Sequence, residues 1–233
     1  MAVRSRTPPF DVTTAIECLS DRDECLKRLI AETRPFEFDS RGLRSPYEAL
    51  VRAITYQSIS GKAAATIFAR VKALGGNGKL PTPEAMLKLR TPVLRKAGLS
   101  GAKILAMKDL ARKTLAGVVP TLARARAMSD QELIDRLVSV RGIGVWSVEM
   151  FLIFRLGRPD VLPVHDLGVR KGWAVAYGKK HMPTTKELLA FGERWRPYRT
   201  VASWYMWRAF ERAGYAATNR IKRRPPRTRR RRA

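Results

Sequence analysis

The stretch Leu137–Trp173, LVSVRGIGVWSVEMFLIFRLGRPDVLPVHDLGVRKGW, constrains the fold more than any other part of the chain. Leu133, Ile134, Leu137 and Val138 recur at helical spacing ahead of Arg141-Gly142-Ile143-Gly144. Trp146, Val148, Met150, Phe151, Ile153 and Phe154 then supply the apolar side of a buried helix. Two glycines one residue apart permit a tight turn and the close approach of another backbone. The turn empties into a helix N-terminus, where backbone N–H groups and the positive dipole end favour an anion. Taken alone, such a turn also fits a plain helix–turn–helix corner. The helical pattern ends at Arg155-Leu156-Gly157-Arg158-Pro159, passes through an extended Asp160–His165, and restarts at Leu167-Gly168-Val169-Arg170-Lys171. Asp166 stands at the N-cap position of that new helix, either as a cap only or as a carboxylate presented to a ligand.

Charge names the class of partner. The 233 residues carry 46 Lys plus Arg against 20 Asp plus Glu, a formal +26. That is the footprint of a protein for a polyanion, nucleic acid first and anionic membrane second. No apolar run could span a bilayer and MAVRSRTPPF lacks a signal-peptide core, so the expectation is a soluble, intracellular protein with no membrane partner. Cys18 and Cys25, at i and i+7, are expected to pack on one helix face. Two cysteines cannot build a four-cysteine iron–sulfur site. His165 and His181 have no zinc-type spacing, and no catalytic metal is expected.

Read in order, the chain is helical throughout. Met1–Pro9 is a basic, proline-bearing tail. A helical pattern covers Val12–Ala31, with Ser20 or Asp21 as the cap of a second segment. Arg34–Ser45 is a linker, and Ser45-Pro46 starts a helix interrupted at Gln57-Ser58-Ile59-Ser60-Gly61. Short helices are expected at Pro83–Leu89 and Pro92–Ala97, a longer one capped by Ser100, and a helix start at Ser129-Asp130-Gln131-Glu132. Arg199–Arg212 forms the last helix. Arg220–Ala233, rich in Arg and Lys, can form no core; it is either an arm on nucleic-acid phosphates or solvated charge.

The order helix, G-I-G turn, apolar helix and D-V-x-x-P-x-x-D-L-G resembles the helix-hairpin-helix and Gly/Pro-Asp signature of the base-excision DNA glycosylase superfamily. It is most similar to the alkylated-base branch, the DNA-3-methyladenine glycosylase II type. Three further segments carry the resemblance. Leu50–Val71 (LVRAITYQSISGKAAATIFARV) resembles the branch's minor-groove loop. Leu94–Ala111 (LRKAGLSGAKILAMKDLA) resembles its L-R-x-x-G-L-S-x-x-K segment. Arg196–Arg208 (RPYRTVASWYMWR) resembles its closing pocket helix. The likeness runs in order from Ser45 to Phe210.

The resemblance implies an all-α fold of two helical lobes with a helix-hairpin-helix motif and the active-site cleft between them. Residues 1–45 would pack with the C-terminal lobe. Residues 46–155 would form a barrel-like helical lobe ending in the hairpin, 156–219 the lobe with the catalytic Asp, and 220–233 a basic tail. The implied protein is a monomer acting on duplex DNA that carries alkylated bases, located wherever the chromosome is: the cytoplasm and nucleoid of a bacterium, the nucleus of a eukaryote.

The same resemblance assigns roles. Asp166 would be the catalytic carboxylate that stabilises positive charge on the sugar as the glycosidic bond breaks. Asp160 is the competing carboxylate, and His165 a neighbour. Trp146, Met150 and Trp207 would line the pocket of the extruded base, where an aromatic wall attracts a cationic alkylpurine. Relatives that also cut the backbone carry a nucleophilic lysine where this chain has Trp146, which implies a glycosylase without lyase activity. Gln57, Ser58, Ile59 and Ser60 would enter the minor groove, and Gly142, Ile143 and Gly144 would hold a phosphate through the backbone. The gap-filling position falls on Ser58, where a larger Gln or Leu is common. Serine is too short to fill a base-sized hole, which leaves Ile59 as an alternative plug and a catalytically silent DNA-binding protein as an alternative function. No organic cofactor is implied; a monovalent cation on the hairpin carbonyls is.

Overall fold

The computed structural model describes residues 8–37 and 45–219 and holds thirteen α-helices and no strand among them. Residues Met1–Asp39 with Gly157–Ala233 form one unit, and Ser40–Leu156 a second. The two expected basic tails, at residues 1–7 and 220–233, and residues 38–44 of the expected linker lie outside the described residues.

Side-chain caps set the helix starts. Asp11 accepts from Thr13 N at 2.9 Å and opens α1 (Val12–Arg22). The break before α2 (Glu24–Ala31) falls at Asp23, later than the expected Ser20 or Asp21. Asp23 accepts from Leu26 N at 3.1 Å, and also from Tyr177 Oη at 2.6 Å and Trp195 Nε1 at 3.2 Å. A buried carboxylate with three donors outcompetes an exposed cap, and two of those donors come from more than 150 residues away. The break also corrects the cysteine reading: Cys18 lies on α1 and Cys25 on α2, so they do not share a helix face. Cys25 Sγ instead donates to Ala176 O at 2.8 Å.

The second unit runs through α3 (Pro46–Tyr56), α4 (Gly61–Ala73), α5 (Pro83–Lys88), α6 (Thr91–Lys96), α7 (Gly101–Leu115), α8 (Leu122–Ala127), α9 (Asp130–Val138) and α10 (Val145–Phe151). Ser45, Ser60, Thr82, Ser100, Thr121 and Ser129 cap α3, α4, α5, α7, α8 and α9; Ser129 and Glu132 complete a capping box. Helix α7 packs on α3, α5 and α6 and buries Ile104, Met107 and Leu110. After α10 the chain widens into a π-helical turn, Leu152–Leu156, which no sequence signal announces.

The chain then returns to the first unit with α11 (Leu167–Ala176), α12 (Thr185–Gly192) and α13 (Arg199–Asn219), the last broken at Gly214 (φ 70°). Helices α11 and α13 form its most extensive pair, and α1 and α2 pack on α13. Leu19, Leu26, Trp195, Val201 and Tyr205 are fully buried there. Burial and the neighbouring Asp23 carboxylate hold the Tyr177 phenol far above its ordinary pKa, so it serves as a permanent donor. No described helix is long and apolar enough to cross a membrane.

Candidate active site

In the first unit the chemistry gathers on Asp166. The extended segment before it is held by the start of α13. Thr200 Oγ1 accepts from Val161 N at 3.0 Å and donates to Arg158 O at 2.6 Å, while Thr200 N donates to Pro159 O at 2.9 Å. Asp160 accepts from Arg199 Nε at 2.6 Å, Arg199 Nη2 at 3.0 Å and Arg196 Nη1 at 2.5 Å. The competing carboxylate is thus committed to a structural cluster that fixes the segment. His165 is exposed.

Asp166 caps α11, accepting from Val169 N at 2.8 Å through Oδ1. The same oxygen accepts from Trp207 Nε1 at 2.9 Å. Gly168 makes this possible: a β-carbon there would lie 2.9 Å from Trp207 Cδ1 and 3.1 Å from Asp166 Oδ1. The glycine of D-L-G therefore admits an indole that orients the carboxylate. Trp207, expected as pocket wall, is placed here as a donor to Asp166 and does not line the cavity that holds Trp146 and Met150.

In the second unit Trp146 and Met150 line a cavity of about 630 Å³ with Arg52, Tyr56, Phe151 and Phe154. Trp146 is 44% exposed, unusual for so large an apolar surface. The Arg52 guanidinium lies 3.9 Å from the Tyr56 ring centroid. Gln57, Ser58 and Ile59 line the same cavity, while Ser60 caps α4 through Ala63 N at 3.4 Å. Ser58 adopts φ 56°, a left-handed conformation that costs a non-glycine residue about 1 kcal/mol. Ile59 is exposed at the loop.

The hairpin joins α9 to α10. Gly142 has φ 77°, which only glycine adopts readily, and it faces Ala106, whose Cβ would lie 3.4 Å from an added methyl. Gly144 is the N-cap of α10, and its carbonyl accepts from Ser147 N at 2.9 Å and Val148 N at 3.3 Å. Ile143 departs from the expectation in one respect. Its side chain is buried and its amide already donates to Val140 O at 3.0 Å, so neither is offered to a ligand. The structure thus groups Asp166 with Trp207 in the first unit, and Gln57, Ser58, Ile59, Trp146 and Met150 in the second.

Residues 51–197 match the family model described as HhH-GPD superfamily base excision DNA repair protein. The chain belongs to the HhH-GPD superfamily. Its relatives include DNA-3-methyladenine glycosylase 1 of Schizosaccharomyces pombe, 40% identical over 207 residues that cover 88% of this chain and 90% of that one. Among solved structures, the S. pombe 3-methyladenine DNA glycosylase (Mag1) in complex with abasic DNA matches with a TM-score of 0.75 at 39% identity, covering 84% of this chain and 95% of that one. A DNA-3-methyladenine glycosidase from Bacillus halodurans matches with a TM-score of 0.78 at 31% identity, covering 88% and 94%.

Within this HhH-GPD fold, several site residues escape sequence reasoning. Arg52 and Tyr56 precede the Gln57 loop at helical spacing, a signal that they share one face. Phe154 reaches the cavity from the π-helical turn, which no periodicity encodes. Arg199 and Thr200 lie within the quoted closing-helix segment but act on Asp160 and Val161, a pairing that only the fold reveals.

Proposed function

We propose that this HhH-GPD protein is a monofunctional DNA glycosylase. It extrudes alkylated purines of the 3-methyladenine and 7-methylguanine type from duplex DNA and releases them by hydrolysis, as a monomer, at the start of base excision repair. The observation that carries this reading is the Asp166 carboxylate, oriented by Val169 N and by the Trp207 indole at the N-terminus of α11. The likeness to relatives named for 3-methyladenine supports the substrate class.

Breaking the bond between C1′ and the base nitrogen builds positive charge on the sugar. A carboxylate below the ring stabilises that charge and positions the attacking water. The target bond is hidden in the stack, so extrusion comes first. Trp146 would stack on the extruded base, and a purine methylated at N3 or N7 is a cation that an indole face attracts. That cation is also a good leaving group, so little proton donation is asked of the protein. Gly142 and Gly144 would bind phosphate through their amides, while that of Ile143 already donates to Val140 O. The monovalent cation implied for the hairpin has a restricted choice of ligands, because Gly142 O already accepts from Gln57 and Ser139 O from Lys113.

The deciding measurement is base release from methylated duplex DNA, resolved by base identity. Released 3-methyladenine and 7-methylguanine are the expected result. Ser58, short and left-handed, favours the alternative of a catalytically silent DNA-binding protein, and tight binding to that duplex with no base release would select it.

Two further outcomes follow from the site. Borohydride added during turnover traps no protein–DNA adduct, because Trp146 holds the position of the lyase lysine and an indole forms no Schiff base. A trapped band on a denaturing gel would place lyase chemistry elsewhere in the chain. Gly168→Ala slows single-turnover release by about ten- to hundredfold, since its methyl displaces Trp207 from Asp166. Its melting temperature stays close to that of the parent, and a wild-type rate would show that the indole does not orient the carboxylate.

A further inference from the structure

Helix α7 reaches both turns assigned to DNA contact. Lys103, in its first turn, donates from Nζ to Thr55 O at 2.8 Å and to Gln57 O at 2.9 Å. Ala106 packs under Gly142. Asp109 Oδ2 accepts from Arg141 N at 2.8 Å, and Lys113, 3.2 Å from Asp109, donates to Ser139 O. Residues 103, 106, 109 and 113 recur at helical spacing, so one face of α7 carries all four. The link closes across the two turns themselves: Gln57 Nε2 donates to Gly142 O at 2.7 Å.

We propose that Lys103 is a positioning residue for base extrusion, its ammonium holding the Gln57–Ser60 loop against the hairpin so that both turns meet the duplex as one surface. This role rests on the glycosylase reading only in that DNA engages these turns. Helix α3 ends at Tyr56, so Thr55 O has no N–H partner within the helix, and a cation at a helix C-terminus is favoured by the dipole. One ammonium satisfies that carbonyl and another two residues along, in the loop. Partial burial lowers the Lys103 pKa, the cost of taking the ammonium out of water. Burial pushes the Asp109 carboxyl up, but the Arg141 N–H and Lys113 outweigh it and leave it below its ordinary value, an anion fixed on the hairpin.

The brace matters because Ser58 cannot fill the space of an extruded base. A large plug gains contacts in the gap; a short one cannot. The loop must then favour the extruded state by being ordered beforehand, so that little conformational freedom is lost on binding. A left-handed Ser58 beside the tethered Gln57 is such a loop.

The test compares affinities of the full chain for a duplex with a tetrahydrofuran abasic analogue and for the same duplex undamaged. Wild type is expected to prefer the analogue. Lys103→Met is expected to lose about tenfold of that preference, as two charge-assisted hydrogen bonds vanish, with undamaged-duplex affinity and melting temperature retained. Lys103→Arg restores most of it. A purely structural lysine would lower both affinities and the melting temperature together, and that pattern, or an unchanged ratio in a folded Lys103→Met, overturns the proposal. Should Lys103→Met not fold, Gln57→Leu carries the test: it cuts the loop–hairpin bond, and an unchanged ratio there is equally fatal. No base release enters this readout. A wild-type chain that prefers the analogue through Lys103 yet frees no base would sink the glycosylase reading alone, and one with no preference would sink the positioning role alone.

Discussion

Asp166→Asn reduces single-turnover base release by about a thousandfold or more, the scale at which a lost electrostatic partner of the transition state is felt. The amide is nearly isosteric and its oxygen can still accept from Val169 N and Trp207 Nε1, so α11 keeps its cap and the fold is preserved. What is lost is the negative charge that the proposed mechanism places below the sugar. DNA affinity is unchanged or tighter, because one repulsive charge beside the phosphates is gone. Rates measured on methylated duplex with enzyme in excess, alongside binding isotherms, separate the two effects. A variant with wild-type rates would transfer the chemistry to another carboxylate, and Asp160 would be the first to replace, despite its bonds to Arg196 and Arg199.

Gly172→Ala prevents folding of the first unit or lowers its stability by at least about 3 kcal/mol, roughly 10 °C in melting temperature for a chain of this size. Gly172 faces α13, and an added methyl would land on the Met206 carbonyl. Backbone cannot swing aside as a side chain can, so α11 and α13 must separate along their most extensive contact. Gly61→Ala is the control. It starts α4, nothing lies within 4 Å of where its methyl would sit, and its melting temperature is expected to match or slightly exceed the parent's. Thermal unfolding of the two variants, side by side, measures the difference. Equal midpoints would mean that α11 and α13 are not packed as tightly as Gly172 implies.

The helix starts are legible because they are written in adjacent residues. Ser45-Pro46, Ser100, Ser129 with Glu132, and Asp166 each bond an amide three positions on, so the signal and its partner lie in one short window. The G-I-G turn is local in the same sense: φ 77° at Gly142 depends on the absence of a β-carbon and on nothing distant. The break at Asp23 is illegible for the opposite reason, since Tyr177 and Trp195 decide it. Likewise the placing of Cys18 and Cys25 on one face assumes an unbroken helix that this distant cluster interrupts.

The sequence by itself determined the all-α class, the hairpin, the N-cap carboxylate and the strong positive charge, because each rests on residue type, spacing within a few positions, or a simple sum. Tertiary structure alone decided which side chains act together. Trp207 reaches Asp166 across 41 residues, Lys103 holds a loop 46 residues behind it, and Arg199 claims Asp160. Helical periodicity tells which face of a helix is apolar and is silent on which other helix that face meets. A donor therefore finds its acceptor only when packing has brought two faces together, and it is that meeting which ties Asp160 to Arg199 and Asp166 to Trp207.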